Sequence, residues 1–408
     1  MKKRTDEPRG HENKRHRVLL LMPFANPHLL SIFRELHDRR QIELSFYVCR
    51  DLPQHRLALG WTTPHDARFF GWRLRILKDF ISECRNSDHV VFLGVLDPKL
   101  VMFFAVLACR ILGKKIWIAS EGFKKSGVKF PLFVRLLLNV RSLSILAIGD
   151  RSSDDYRAAG LDRPQYYRFG FAEHYDDDST MADGLSSRSN DFRSVRIFGV
   201  GQLNDRKNFE SVVKQLCSIN SVGRVEMRIC GDGPNAATLR ELAKQLPENV
   251  TVTLLGNCEA SRLDEEFRAA DLFVMPSRYD GWGVVLNQAV EYRLPCVVSS
   301  GVRAARGHLI EHGKNGFIYD SDEEMARHLE TLIDDESLRN RCSEEAARIA
   351  KLWSIRSIAD RLLQRFSGCS VEFGTGPLQL ICRNFTDRVQ THKNQQQIAD
   401  KRNARLFE

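Results

Sequence analysis

Three short stretches in the second half of the 408-residue chain carry side chains and backbone suited to holding an anion. The first is PSRYDGWGVVLNQAVEYRLPCVVS, residues 276–299, where Gly281-Trp282-Gly283 separates an apolar run from a helix-period stretch. A helix start offers backbone N–H groups without intrahelical acceptors, and glycines leave them uncovered, so an anion pocket fits there. Asp280 sits at its mouth, either as a simple helix cap or as an acceptor for ligand hydroxyls. The second stretch is GQLNDRKN, residues 201–208. Its Arg206 and Lys207 stand just ahead of a helix, either as cations for a diphosphate or as a solvated charge pair. The third, Gly231-Asp232-Gly233-Pro234, is a turn after another strand-like run and is weak evidence by itself.

These stretches meet only if regular elements bring them together. In the second half, strands are expected at Val195–Val200, Val225–Cys230, Val250–Leu255, Asp271–Pro276 and Pro295–Ser299. Between them lie helix-period stretches. Asn208 is placed to cap the one with Phe209, Val212, Val213 and Leu216 on one face, and Ser261 with Asp264 reads as a capping box for another. All three anion-suited stretches then fall just past carboxyl ends of strands in one α/β unit. Open parallel sheets bind ligands at that edge. Together they favour a phosphate-bearing ligand.

The first half alternates in the same way, with strands expected at Arg17–Met22, Ile42–Val48, His89–Leu93, Lys115–Ala119 and Leu143–Ile148. Amphipathic stretches at Phe70–Cys84 and Pro98–Leu112 complete a βαβ pattern and hence a parallel sheet covered on both faces. The polar run EHYDDDSTMADGLSSRSN, residues 173–190, reads as a linker. Its Asp176-Asp177-Asp178 is read as linker charge and not as a metal site.

Composition narrows the function classes. Apolar residues are 43% and charged residues 28%, so the chain can bury large cores and is not disordered as a whole. The longest apolar run, Leu100–Cys109, is about half of what a membrane-spanning helix needs. The net charge of +9 is concentrated in residues 1–172, so the anionic partner is expected to meet that half. The basic start, Met1 to Arg17, reads as a loose tail before a first strand. None of the ten cysteines has metal-site spacing, and they are expected to be reduced core residues. No nucleic-acid recognition motif is present.

Taken in order, these motifs resemble the donor domain of retaining GT-B glycosyltransferases, specifically glycosyltransferase family 4 in its DGWG variant. The matching residues are GQLNDRKN, RICGDGP, VTLLGN, EEFRAADLFVMPSRYDGWGVVLNQAVEYRLPCVVSS and HGKNGF, across roughly residues 195–353. The resemblance implies an α/β fold of two Rossmann-like domains facing across a cleft. The acceptor-side domain would be residues 1–172, the linker 173–192 and the nucleotide-sugar donor domain 193–352. Residues 353–367 would form a helix crossing back to the first domain, leaving 368–408 as a tail of unknown role.

Carried onto this chain, the resemblance implies that Arg206 and Lys207 hold a donor diphosphate and that Asp280 faces the transferred sugar. Gly201, Gly231, Asp232, Gly233, Gly281, Trp282 and Gly283 would complete the donor site, the last three through backbone amides. Asn257 would lie near the nucleobase. Gln288 stands where the family carries a second acid on the ribose, so that acceptor is neutral here. The turn after the first strand, PFANPH, lacks the glycines often found there. On the acceptor side the strand end IWIASEGF places Glu121, either in the site or as a loop cap. The implied activity is hexosyltransferase-type transfer with retention and without a metal or other cofactor, from a nucleotide sugar to a saccharide or lipid-linked saccharide. Surface polysaccharide or glycolipid assembly is the implied setting. A donor-binding protein without turnover and a nucleotide-sugar epimerase are the alternatives. The basic, aromatic-rich stretches Arg68–Lys78 and Lys124–Arg141 add an anionic membrane surface as an expected partner of a cytoplasmic, peripheral enzyme.

Overall fold

The computed structural model describes residues 15–57, 61–70, 74–94, 101–123, 128–172, 194–219, 223–369 and 376–381. The linker expected at 173–192, Arg73 and Lys124 lie outside them. Thirteen strands are present among the described residues: β1 His16–Met22, β2 Ile42–Val48, β3 Arg68–Phe69, β4 His89–Leu93, β5 Lys115–Glu121, β6 Leu143–Ile148, β7 Gln165–Phe169, β8 Ser194–Val200, β9 Arg224–Cys230, β10 Val250–Gly256, β11 Leu272–Met275, β12 Cys296–Ser299 and β13 Gly316–Tyr319. They form two sheets, ordered β3-β2-β1-β4-β5-β6-β7 and β10-β9-β8-β11-β12-β13. The recorded strand pairs are parallel, for example Val200 of β8 opposite Cys230 of β9. These are two Rossmann-like α/β arrangements, as expected. The sequence reading lacks β3, β7 and β13, which are short or carry polar residues at the sheet margins.

By internal packing the chain divides into two compact units, residues 1–117 with 366–369 and residues 118–365 with 370–408. In the first, Val18 to Met22 of β1 are all buried, as a central parallel strand requires. Asn26 caps the helix Pro27–Asp38 by accepting from the Leu29 N–H at 3.0 Å. Buried His89 accepts from Trp117 Nε1 at 3.2 Å and stacks on Phe366 at 4.2 Å, the last residue of the helix Ile355–Phe366. Burial holds the His89 pKa down to about 3, so its ring is neutral.

The second unit buries Ile197, Val212, Val213, Met227, Ile229 and Val274 in one cluster, the inward faces of β8, β9 and β11 and of the helix Phe209–Leu216. Part of the tail belongs to this unit. Residues 376–381 run antiparallel along β7, with Arg168 N donating to Gln379 O at 2.8 Å and Leu378 N to Arg168 O at 2.7 Å. The segment covers the outer edge of a strand that would otherwise present unpaired backbone groups.

Three local expectations are corrected. The capping box does not form: the helix Ala260–Ala269 starts after Glu259, with Ser261 already inside it. Asp264 instead takes Arg268 one turn on, at 2.8 Å, and the Tyr292 hydroxyl, partners that a helix N-terminus cannot match. Asn208 does occupy the cap position of its helix, but at φ 56° its side chain donates to Ser211 Oγ and caps no backbone N–H. Finally, Cys230 and Cys258 are not reduced core residues but disulfide-bonded, with Cα atoms 6.0 Å apart. Adjacent β9 and β10 end side by side, with Gly231 N donating to Gly256 O at 2.7 Å, which brings the two thiols together.

Candidate functional site

The site is built on the carboxyl ends of β8, β9 and β11. Sterics alone explain much of its glycine content. A Cβ on Gly231 would stand 1.9 Å from Gly201 O, and one on Gly233 would stand 2.4 Å from Leu203 O, so the two turns pack backbone on backbone. Leu203 N donates to Asp232 O and Asn235 N to Leu203 O, both at 2.9 Å, which locks GQLNDRKN against GDGP. The Lys207 stem then lies across Gly201, its Cε 3.1 Å from where a Cβ would be. Gly201, Gly231 and Gly233 thus shape the floor, whereas the Asp232 side chain is exposed at its rim. Asn257, beyond β10, is exposed too.

Arg206 and Lys207 meet Asp280, more than seventy residues further along the chain. Lys207 Nζ lies 2.7 Å and Arg206 Nη1 3.3 Å from the same Asp280 Oδ2. Arg206 also donates to Tyr279 O at 3.1 Å, and Arg278 N to Arg206 O at 2.8 Å, so the two turns are joined through backbone as well. Asp280 does not cap the helix Val284–Glu291, whose N-cap is Gly283 at φ 90°. Its carboxylate instead pairs with two cations, leaving a net positive charge, and an incoming anion would compete with it for them. The amides of Gly281, Trp282 and Gly283 donate to no acceptor among the described residues.

Trp282 packs its side chain into the protein interior. Its ring is buried, donates from Nε1 to Asn287 Oδ1 at 2.7 Å, and packs so closely on Gly170 that a Cβ there would sit 2.0 Å from it. Asn287 in turn donates to Phe171 O at 3.1 Å, which anchors the DGWG turn from behind. Gln288, on the same helix, is half-buried. Glu121, the last residue of β5, lies against Gly281: a Cβ there would stand 2.1 Å from its Oε2. Its carboxylate therefore lies beside the DGWG turn.

Sequence reasoning missed Tyr279, Arg303 and Asp150, which sit in loops whose pattern carries no chemistry until folded, and Asn287, on the helix Val284–Glu291. Burial raises the Tyr279 pKa against the opposing pull of Arg303. Asp150 follows β6, donates its N–H to Arg303 O at 3.0 Å, and buries an Oδ1 that makes no hydrogen bond among the described residues. Burial pushes its pKa up to about 6, despite Arg151, Arg303 and Arg306 nearby. An acid whose folded pKa is raised holds its proton longer than in the unfolded chain. Stability therefore falls as pH rises from 3.8 toward 6, by at most about 3 kcal/mol at 1.36 kcal/mol per pH unit. Asp150→Asn should accordingly raise the urea midpoint at pH 7.5 and lose that advantage near pH 4. A variant less stable than wild type at pH 7.5 would show that the ionised carboxylate helps the fold.

Comparison with known proteins bears on family and fold. Residues 189–349 match the model of the family described as glycosyl transferases group 1. Its sequence is 29% identical over 236 residues to the alpha-D-kanosaminyltransferase of Streptomyces kanamyceticus, covering 54% of this chain and 59% of that protein. It is 25% identical over 173 residues to the amylovoran biosynthesis glycosyltransferase AmsD of Erwinia amylovora, covering 42% and 47%. The matched regions thus span about half the length of these curated relatives. Among solved structures, Anabaena HepE in complex with UDP and glucose superposes with a TM-score of 0.58 at 17% identity, over 86% of this chain and 100% of that one. The lipopolysaccharide outer core galactosyltransferase WaaB gives 0.60 at 14%, over 86% and 99%. The fold is that of GT-B glycosyltransferases.

Proposed function

We propose that the protein transfers a hexose-type sugar from a nucleotide-sugar donor to a saccharide or lipid-linked saccharide, with retention. The observation that carries this reading is the meeting of Arg206 and Lys207 on Asp280 beside the open amides of Gly281–Gly283. The two cations would take the donor diphosphate, releasing Asp280 toward the sugar hydroxyls. Gly201, Gly231 and Gly233 keep the floor open, and Asp232, Asn257 and Gln288 would serve the nucleoside. Glu121 would orient the acceptor. In the step itself the bond from the anomeric carbon to the diphosphate oxygen breaks and a bond to the acceptor oxygen forms on the same face. The acceptor proton passes to the departing diphosphate. Charge on that leaving group is met by protein cations and amides, with no call for a metal. HepE, of the same fold, is described with UDP and glucose, and AmsD as an amylovoran biosynthesis enzyme. The first supports a nucleotide-sugar donor and the second a polysaccharide setting.

A panel of nucleotide sugars tests this. The correct donor at 100 times its Kd should stabilise the fold by about 2.7 kcal/mol. Free nucleotide diphosphate should then appear only when a saccharide acceptor is added. Release of a sugar epimer without acceptor, or binding without any turnover, would overturn transfer.

The finer setting we propose is peripheral attachment to an anionic membrane on its cytoplasmic face. Among the described residues no helix is long and apolar enough to cross a membrane. The helix Leu132–Leu138 instead exposes Leu132, Phe133 and Leu136 while burying Val134 and Leu138, and Lys129, Arg135 and Arg141 are exposed around it. Apolar side chains ringed by cations suit an anionic interface. The other basic stretch contributes less, since Phe70 is buried and Arg68 pairs with Glu83. Leu132→Ser combined with Leu136→Ser should abolish sedimentation with phosphatidylglycerol vesicles at low salt without changing nucleotide binding. If wild type ignores such vesicles, the attachment is wrong.

A further inference from the structure

Glu121 and Asp280 reach the same turn from distant parts of the chain, and something must hold them there. Among the described residues Arg303 is bonded to both segments, through its side chain to one and its backbone N–H to the other. Arg303, in the loop after β12, is buried at 9% exposure. Its Nη2 donates to Phe123 O at 3.1 Å and its Nη1 to Asp155 Oδ2 at 3.2 Å. Asp155, on the helix Ser152–Ala158, also accepts the Phe123 N–H at 2.9 Å. Both backbone groups of Phe123, two residues after Glu121, are therefore fixed by one Arg–Asp pair. From the opposite end, Arg303 N donates to Asp280 O at 3.1 Å, and its guanidinium lies 5.7 Å from the Tyr279 ring centre. Behind it, Gly149 leaves no room for retreat: a Cβ there would stand 2.8 Å from Arg303 Cβ.

We propose that Arg303 is a positioning residue that sets the Glu121 turn against the Asp280–Gly281 turn. It rests on the transfer reading above, in which those two acids flank the reacting sugar. Among the described residues Arg303 hydrogen-bonds neither acid's carboxylate; its side chain acts through Phe123 and the Tyr279 ring, and its backbone through Asp280 O. The planar guanidinium spans two acceptors in a fixed fork, so lysine cannot replace it fully. Misplacement of a reacting group by about 1 Å is enough to cost roughly 100-fold in rate.

The test uses the full chain with Arg303→Gln, Arg303→Lys and Asp155→Asn. Amide hydrogen exchange should speed up in peptides covering 121–123 and 279–283 in Arg303→Gln, while the helix Asp322–Asp334 exchanges as in wild type. With the donor identified in the panel, Arg303→Gln should lose about 100-fold in kcat with its nucleotide-diphosphate Kd within about twofold of wild type. Arg303→Lys should recover part of the loss. Combining Arg303→Gln with Asp155→Asn should add little, because both break one link. Unchanged exchange in both turns, turnover within about twofold of wild type, or a Kd loss matching the kcat loss would each overturn the assignment. If wild type turns over no nucleotide sugar, the transfer reading fails, and the exchange result alone decides whether Arg303 fixes the two turns.

Discussion

Asp280→Asn should lower sugar transfer by about 100-fold or more while leaving nucleotide-diphosphate binding unchanged or tighter. The magnitude is that for removing a group which stabilises the transition state. The opposite sign for binding follows from the ligand-free geometry. Asp280 Oδ2 holds Lys207 at 2.7 Å and Arg206 at 3.3 Å, and a diphosphate must displace it from both. A neutral amide competes less for those cations. Folding should change by only about 1 kcal/mol, because Asp280 caps no helix and Asn keeps an oxygen for Lys207. Steady-state turnover, calorimetric titration with nucleotide diphosphate and a urea curve check the three parts. A fully active Asp280→Asn enzyme would reduce the carboxylate to a partner for two cations.

Lys207→Ala should weaken nucleotide-diphosphate binding by about 1.5–3 kcal/mol, and Arg206→Ala by less. The ranking comes from exposure: the Lys207 side chain is 12% exposed and the Arg206 side chain 43%, so solvent and salt screen the arginine more. Lys207→Ala also leaves Asp280 facing an anionic ligand with one cation fewer. Adding Asp280→Asn to Lys207→Ala should therefore restore part of the lost affinity, a coupling that a double-mutant cycle measures directly. Equal affinities in wild type and both single variants would remove the two cations from the donor site.

What the chain determines locally is its alternation of elements and the chemistry at three strand ends. Central parallel strands are buried on both faces, so runs such as VLLLM, HVVFL and VRIFGV announce themselves. Glycine turns after strands are equally visible, because close backbone approach admits no side chain. That is why the sequence by itself marks Arg206, Lys207, Asp280 and the DGWG turn as suited to a phosphate-bearing ligand. Margins are less legible: β7, with the polar residues of QYYRF, pairs with β6 on one side, while the segment on its outer edge lies some two hundred residues away in the tail. Tertiary structure alone decided the rest, since each remaining feature depends on which strand ends lie side by side. Cys230 meets Cys258 because β9 and β10 are neighbours in the sheet, a fact their separation of 28 residues does not contain. Glu121 meets Gly281, and Arg303 meets Phe123 and Asp155, because loops from separate strands converge at the same turn. Local periodicity fixes which residues point inward; long-range hydrogen bonds and steric fit fix which of them meet.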